Sequence, residues 1–188
     1  RMGEAMHARW RAGDAPANLA ITSMLTNAFL LTGEEKYRAW VVDYTDAWME
    51  RSRAHDGLLP DQIGPSGAVG EYVGGKGYGG RYGWTFPHGF LTLHFATVDA
   101  GANAYLLTRD DRYLDLPRRQ MDRILEQGEQ RDPRDEHMSG RANWQQQLEA
   151  IPPGEKTFLV PYRYGDAGWF DWMPMGALYP VYLWHLSM

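Results

Sequence analysis

An all-α chain built of helical hairpins is predicted by three observations. Asn27 to Tyr37 reads Asn-Ala-Phe-Leu-Leu-Thr-Gly-Glu-Glu-Lys-Tyr and returns 76 residues later, from Asn103 to Tyr113, as Asn-Ala-Tyr-Leu-Leu-Thr-Arg-Asp-Asp-Arg-Tyr. Each copy has the form of a helix end, a tight turn and the start of a second helix. Around the copies, a helix apolar on every side alternates with one striped on a single face, the pattern of an enclosed inner layer and a half-exposed outer one.

The elements follow in order. The first helix starts after Gly13-Asp14-Ala15-Pro16, with Asp14 a candidate cap and Pro16 near the first turn, and covers 17–32. Gly33 is placed to end it in the left-handed conformation. The second helix, 34–54, carries Tyr37, Trp40, Val41, Tyr44 and Trp48 as one apolar stripe. In the second copy the helix over 89–107 is apolar almost all round, and the next one aligns Tyr113, Leu116, Met121, Ile124 and Leu125. Arg109 stands at the position of Gly33 and Pro117 at that of Val41, so this outer helix starts later or bends. A last inner helix is expected near 174–188. Residues 172–188 hold no Asp, Glu, Lys or Arg, but they are fewer than the roughly 20 a bilayer span needs and contain Pro174 and Pro180, so a buried helix is the reading.

Two long connections separate the hairpins, 56–87 and about 128–172. Connections this long are usually binding loops or lids. They share an ending: Gly83-Trp84-Thr85-Phe86-Pro87-His88-Gly89 in one, Gly168-Trp169-Phe170-Asp171-Trp172-Met173-Pro174-Met175-Gly176 in the other. Each delivers an aromatic turn to the start of an inner helix.

A period of 76 is too long for a solenoid repeat of roughly 30 to 45 residues. It leaves room for two helices and a long loop, and that hairpin period with that loop character resembles the (α/α)6 toroid of the six-hairpin glycosidases and related polysaccharide lyases. No catalytic signature takes part in the resemblance. At 76 residues per hairpin, 188 residues hold about two and a half hairpins. The expectation is therefore one toroid domain over 1–188 that is a piece of a longer chain, completed by the rest of that chain or by another. Trp184 and Leu186 would then face a missing neighbour.

Net charge is -5 with both signs interspersed, which argues against nucleic acid or an anionic membrane as the main partner. No cysteine is present, so disulfides and thiolate metal sites are excluded while the compartment stays open. The six histidines show no metal-binding spacing; neither metal nor cofactor is expected, though oxygen-only calcium sites stay open.

Residues that could carry chemistry concentrate in the two connections. The first holds Asp61, Glu71, Lys76, Tyr78, Arg81, Tyr82 and Trp84, with seven glycines between Gly70 and Gly83. Glycine lets backbone approach a ligand and the rings offer flat faces, as a sugar site requires; the same rings could equally pack on the rim. Gly70 to Lys76 also fits Gly-x-x-x-x-Gly-Lys, but Gly77 stands where Ser or Thr should bind magnesium and no strand precedes, so a phosphate loop is rejected. The second connection holds Arg163, Tyr164, Asp166, Trp169 and Asp171. Arg163 could clamp a substrate carboxylate or form an ordinary salt bridge with Asp166. His88, at the mouth of an inner helix, is the best single acid/base candidate because its ordinary pKa serves both forms near neutrality.

The toroid resemblance implies a carbohydrate substrate and, with it, a secreted or periplasmic setting. The first expectation is a glycoside hydrolase with paired carboxylates drawn from Asp61, Glu71, Asp166 and Asp171. The second is a polysaccharide lyase acting on a uronate through Tyr82 or Tyr164 with His88, Arg81, Arg163 and Asn143. A third is a non-catalytic sugar-binding or structural toroid. In all three, residues 57–88 and 160–172 are expected to converge on one pocket.

Overall fold

The computed structural model describes residues 2, 4, 13–78, 83, 84, 89–138, 144–165 and 167–188. A 3-10 turn, Pro16–Ile21, runs into α1 (Thr22–Thr32), and α2 (Glu35–Ala54) returns beside it. The second pair is α3 (Phe90–Thr108) and α4 (Asp115–Glu126), the latter entered through a 3-10 turn, Asp111–Leu114. The repeat is therefore two helical hairpins, and several hydrogen bonds recur at the two helix ends. Gly33 and Arg109 both take left-handed φ, +68° and +61°, and their amides donate to Phe29 O and Tyr105 O at 2.7 Å each. Thr32 and Thr108 each donate from Oγ1 to the carbonyl four residues back at 2.7 Å, and each accepts the amide two residues on at 3.2 Å. The α-helix of the second copy starts at Asp115 rather than Asp111, which places Pro117 in its first turn, where a missing N–H costs nothing.

Asp14, the expected cap, does not take that position, which Ala15 holds without a side-chain capping bond; Asp14 is a tie instead. Its Oδ1 accepts the Ala15 amide at 2.9 Å and Asn18 Nδ2 at 2.8 Å, while Oδ2 accepts the Tyr44 hydroxyl at 2.7 Å and so ties the first turn to α2. Between hairpins, Arg38 Nε donates to Leu107 O at 3.2 Å, Arg112 reaches Asp46 at 3.0 Å, and Asn103 Nδ2 donates to Thr22 and Ser23 hydroxyls at 3.1 and 3.0 Å. Leu19, Trp48, Met49, Leu59, Ile63, Ala96, Ala100, Ala104, Tyr113 and Leu116 fill the space between them.

Small residues on α3 permit this closeness. A Cβ at Gly101 would lie 2.8 Å from the Tyr113 carbonyl oxygen and 3.1 Å from Pro117 Cδ. Gly101→Ala should therefore destabilise by about 1–3 kcal/mol even though Ala is the better helix former. The reading is a lower urea midpoint at constant slope; an unchanged or raised midpoint would mean that α3 and the start of α4 are not in this contact.

The all-α expectation, and with it the (α/α)6 toroid, is overturned by a three-stranded antiparallel sheet ordered β1 (Glu129–Arg131), β2 (Thr157–Gly165), β3 (Gly168–Met173). Glu129 pairs with Leu159 and Arg131 with Thr157; Val160 pairs with Met173 and Gly165 with Gly168. The stretch expected to be an open connection is a hairpin of β-branched and aromatic residues. Val160, Tyr162, Tyr164 and Trp169 pack with Leu58, Trp84, Phe90, Leu93 and Ile124. Leu159 and Trp172 pack with Met138 and Leu148, the last on the short helix α5 (Gln145–Glu149), in a separate cluster. Burial among two clusters is what a run of β-branched and aromatic residues is suited to. Pro161 is accommodated because β1 reaches only as far as Leu159, leaving one ladder at that position.

The closing helix, α6 (Leu178–Leu186), lies on α3 through Tyr179, with Leu183 also buried. Leu178, Val181, Tyr182 and Trp184 are exposed and Leu186 is half-buried. Among the described residues, no helix is long and apolar enough to cross a membrane.

Candidate functional site

Residues 57–77 are fastened to both hairpins. Ile63 exchanges backbone hydrogen bonds with Asp14 at 2.6 and 2.8 Å, and the Asp61 amide donates to Gly77 O at 2.6 Å. Gln120, on α4, is 1% exposed and works as a staple. Its Oε1 accepts the Leu59 amide at 3.0 Å, and its Nε2 donates to Ser52 Oγ at 3.2 Å and to Gly57 O. A buried amide satisfied on both ends fixes the loop against both hairpins.

From this base the loop meets β2 directly. The Tyr164 amide donates to Trp84 O at 3.0 Å. The Trp84 ring stands edge-on to Trp169 at 5.3 Å, Trp169 edge-on to Tyr164 at 5.0 Å, and Tyr164 lies 5.0 Å from Tyr78. Gly89, at the head of α3, abuts Tyr162 and Arg163: a Cβ there would come within 2.8 Å of the Tyr162 carbonyl oxygen and 3.0 Å of Arg163 Cγ. The two connections thus meet at the entry of α3.

Three expected site residues take other positions. Trp84 is fully buried, its indole N–H donating to Leu59 O at 2.7 Å, so it is a core residue and has no face for a ligand. Asp61 is 1% exposed and its Oδ1 accepts the Trp84 amide at 2.9 Å. Gly83 is required beside it, since a Cβ there would fall 1.7 Å from Asp61 Oδ1. Glu71 is exposed but turned inward to its own loop, accepting the Ser66 hydroxyl at 2.6 Å and the Ser66 amide at 3.1 Å. Those two bonds, the hydroxyl's first, hold its pKa below the usual carboxylate value, which suits a loop brace and not a proton donor. Lys76 is exposed on the same loop.

Tyr78, Tyr164 and Trp169 are half-buried. Burial first, and then the charge of Asp61, push the Tyr78 hydroxyl up to about 12, so it is a phenol and not a phenolate at neutral pH. Its hydroxyl donates to His55 O at 3.3 Å.

Arg163 and Asp171 are brought together. Arg163 Nη1 lies 3.2 Å from Asp171 Oδ2, and the carboxylate is fully buried. Asp171 Oδ1 faces a residue that sequence reasoning missed: His137 Nδ1, 3.4 Å away on a side chain 70% exposed. The Trp172 amide donates to His137 O at 3.0 Å, which pins that backbone to β3. Arg131 supports the approach, stacking its guanidinium 3.6 Å over Trp172 and pairing with Glu136 at 2.8 Å. Nothing in the spacing of His137 marks it, because its partner is on another element. Tyr82, His88, Arg81, Asp166 and Asn143 lie outside the described residues. No group of three or more His, Cys, Asp or Glu that could hold a metal occurs among the described residues.

The fold is thus a pair of repeated helical hairpins with an antiparallel sheet against them, and that sheet carries the Arg163–Asp171 pair. A family model described as Domain of unknown function (DUF8034) matches residues 1–188, so the chain belongs to that family. No curated protein and no solved structure matches it.

Proposed function

We propose that the protein is a carbohydrate-active enzyme that breaks glycosidic bonds of a poly- or oligosaccharide at the junction of Tyr78 and Trp84 with β2 and β3. The observations that carry this reading are the run of part-exposed rings Tyr78, Tyr164 and Trp169 and the Arg163–Asp171 pair, which β2 and β3 also carry. Sugar rings stack on aromatic faces, and their hydroxyls pair with charged groups held in a fixed place.

Of the two bond-breaking chemistries, β-elimination on a uronate-containing polysaccharide fits the described groups better than hydrolysis. Hydrolysis needs two carboxyl groups opposed across the bond, one of them protonated. Glu71 is held ionised by Ser66, and Asp61 and Asp171 are buried with partners of their own. Elimination needs instead a base for the proton beside the uronate carboxylate and a donor for the leaving oxygen. A Tyr78 phenol that stays protonated suits a hydrogen-bond donor to that carboxylate.

The test is a panel of neutral and uronate-containing polysaccharides, followed both for reducing ends and for the ultraviolet absorbance of an unsaturated uronate. A rise in both is expected. Reducing ends without absorbance would make the enzyme a hydrolase, and no rise in either across the panel would remove the carbohydrate reading.

A further inference from the structure

We propose that His137 and Asp171 form the proton-transfer pair of this site, with His137 Nε2 as the acid–base atom and Asp171 as the residue that positions it. The proposal rests on the carbohydrate reading above for its substrate, but its geometry stands by itself. An imidazole is the side chain suited to take and return a proton near neutral pH. One whose Nδ1 faces a fixed carboxylate is held in a single tautomer and orientation, which leaves Nε2 with the lone pair. Here the carboxylate is fully buried while the imidazole is mostly in solvent, so the ring presents its far edge outward. The 3.4 Å separation is long for a hydrogen bond, as catalytic pairs commonly are before substrate tightens them.

The backbone of Asp171 points the same way. Its φ is +67°, a left-handed conformation that residues with a side chain rarely adopt, and the β2–β3 ladder pairs Pro161 with Trp172 and Arg163 with Phe170 while skipping the Tyr162–Asp171 position between them. Strain of this kind persists only where the surroundings enforce it, and it clusters at functional sites. Its effect here is to turn one carboxylate toward both Arg163 and His137.

In the elimination, Nε2 takes the proton from the carbon next to the uronate carboxylate. The electron pair of that C–H bond forms the new carbon–carbon double bond as the bond to the leaving oxygen breaks. The imidazolium returns its proton to that oxygen, so the ring ends as it began and no oxidant or further reactant is consumed.

Two measurements test this. Long-range proton–nitrogen NMR of the whole protein, at a pH where the ring is neutral, reads the tautomer. The Nδ1–H form is expected in the native protein, and the Nε2–H form in Asp171→Asn. An Nε2–H ring in the native protein would overturn the proposal whatever the enzyme proves to cleave. The second measurement uses the polysaccharide that the native protein degrades. His137→Ala, at an exposed position that leaves the fold intact, should lose about 10²- to 10⁴-fold in turnover and regain part of it with added free imidazole. Native turnover in His137→Ala would sink the pair and leave the carbohydrate reading standing. A panel without any cleavage would sink the carbohydrate reading, and the tautomer would still decide the pair.

Discussion

Trp84→Ala should lower the free energy of unfolding by about 3–5 kcal/mol, the range for removing a large aromatic from a core. Trp84 is fully buried among Leu58, Phe90, Leu93, Ile124, Val160 and Tyr179. It also bonds within its own connection, to the Leu59 carbonyl and the Asp61 carboxylate, and to the sheet through the Tyr164 amide. Truncation leaves a cavity and strands the Leu59 carbonyl without its donor, and each adds to the loss. Trp84→Phe keeps most of the packing and loses the indole N–H, so about 1–2 kcal/mol is expected. Urea titration of both variants checks the ordering. A Trp84→Ala protein as stable as the native one would place this ring outside the core.

Acid should destabilise the fold through His94 by about 3 kcal/mol. His94 is fully buried on α3, ringed by Phe90, Phe95 and Tyr179, and neither ring nitrogen has a hydrogen-bond partner of normal geometry among the described residues. Burial lowers its pKa from 6.5 to about 4, opposed only by the Tyr179 backbone. The native state therefore refuses a proton that the unfolded chain accepts. Above pH 6.5 both states are neutral at this residue and it has no effect on pH dependence. As pH falls from 6.5 to about 4 the unfolded state alone takes up the proton and stability is lost, and below that the loss is complete. At about 1.4 kcal/mol per unit this amounts to about 3 kcal/mol. Urea titrations at both ends of that window, on native protein and on His94→Leu, isolate the contribution, since the carboxylates act alike in both. Equal acid losses in the two proteins would show that His94 is not the group responsible.

The helices were legible because their signals are local. Gly33 and Arg109 end helices by backbone geometry, and Thr32 and Thr108 bond within their own turn, so eleven residues suffice to specify each joint. The hairpin of β2 and β3 was not read, because Pro161, Gly165 and Gly168 look like loop punctuation and the strand's stability comes from clusters formed by distant residues. Trp84 was legible as important but not in its role: the identity of an aromatic residue does not say which way it faces. Trp84 of one Gly-Trp ending and Trp169 of the other meet edge-on, although the second ending is a strand and not a turn into a helix. His137 was hidden because the carboxylate that orients it is set by a left-handed backbone on β3, which no spacing along the chain encodes.

The two matched turns have a consequence for measurement. Tyr37 and Tyr113 end the same eleven-residue segment, yet Tyr37 is half-buried and Tyr113 is 1% exposed with its hydroxyl 2.6 Å from Arg112 Nη2. Because the hydrogen bonds at the ends of α1 and α3 agree to within a few tenths of an ångström, a substitution made at Thr32 and at Thr108 meets the same local bonds in different surroundings. The molecule is its own matched pair: subtracting one site's effect from the other's removes helix propensity, turn geometry and denatured-state behaviour together, and leaves the tertiary environment as the remainder.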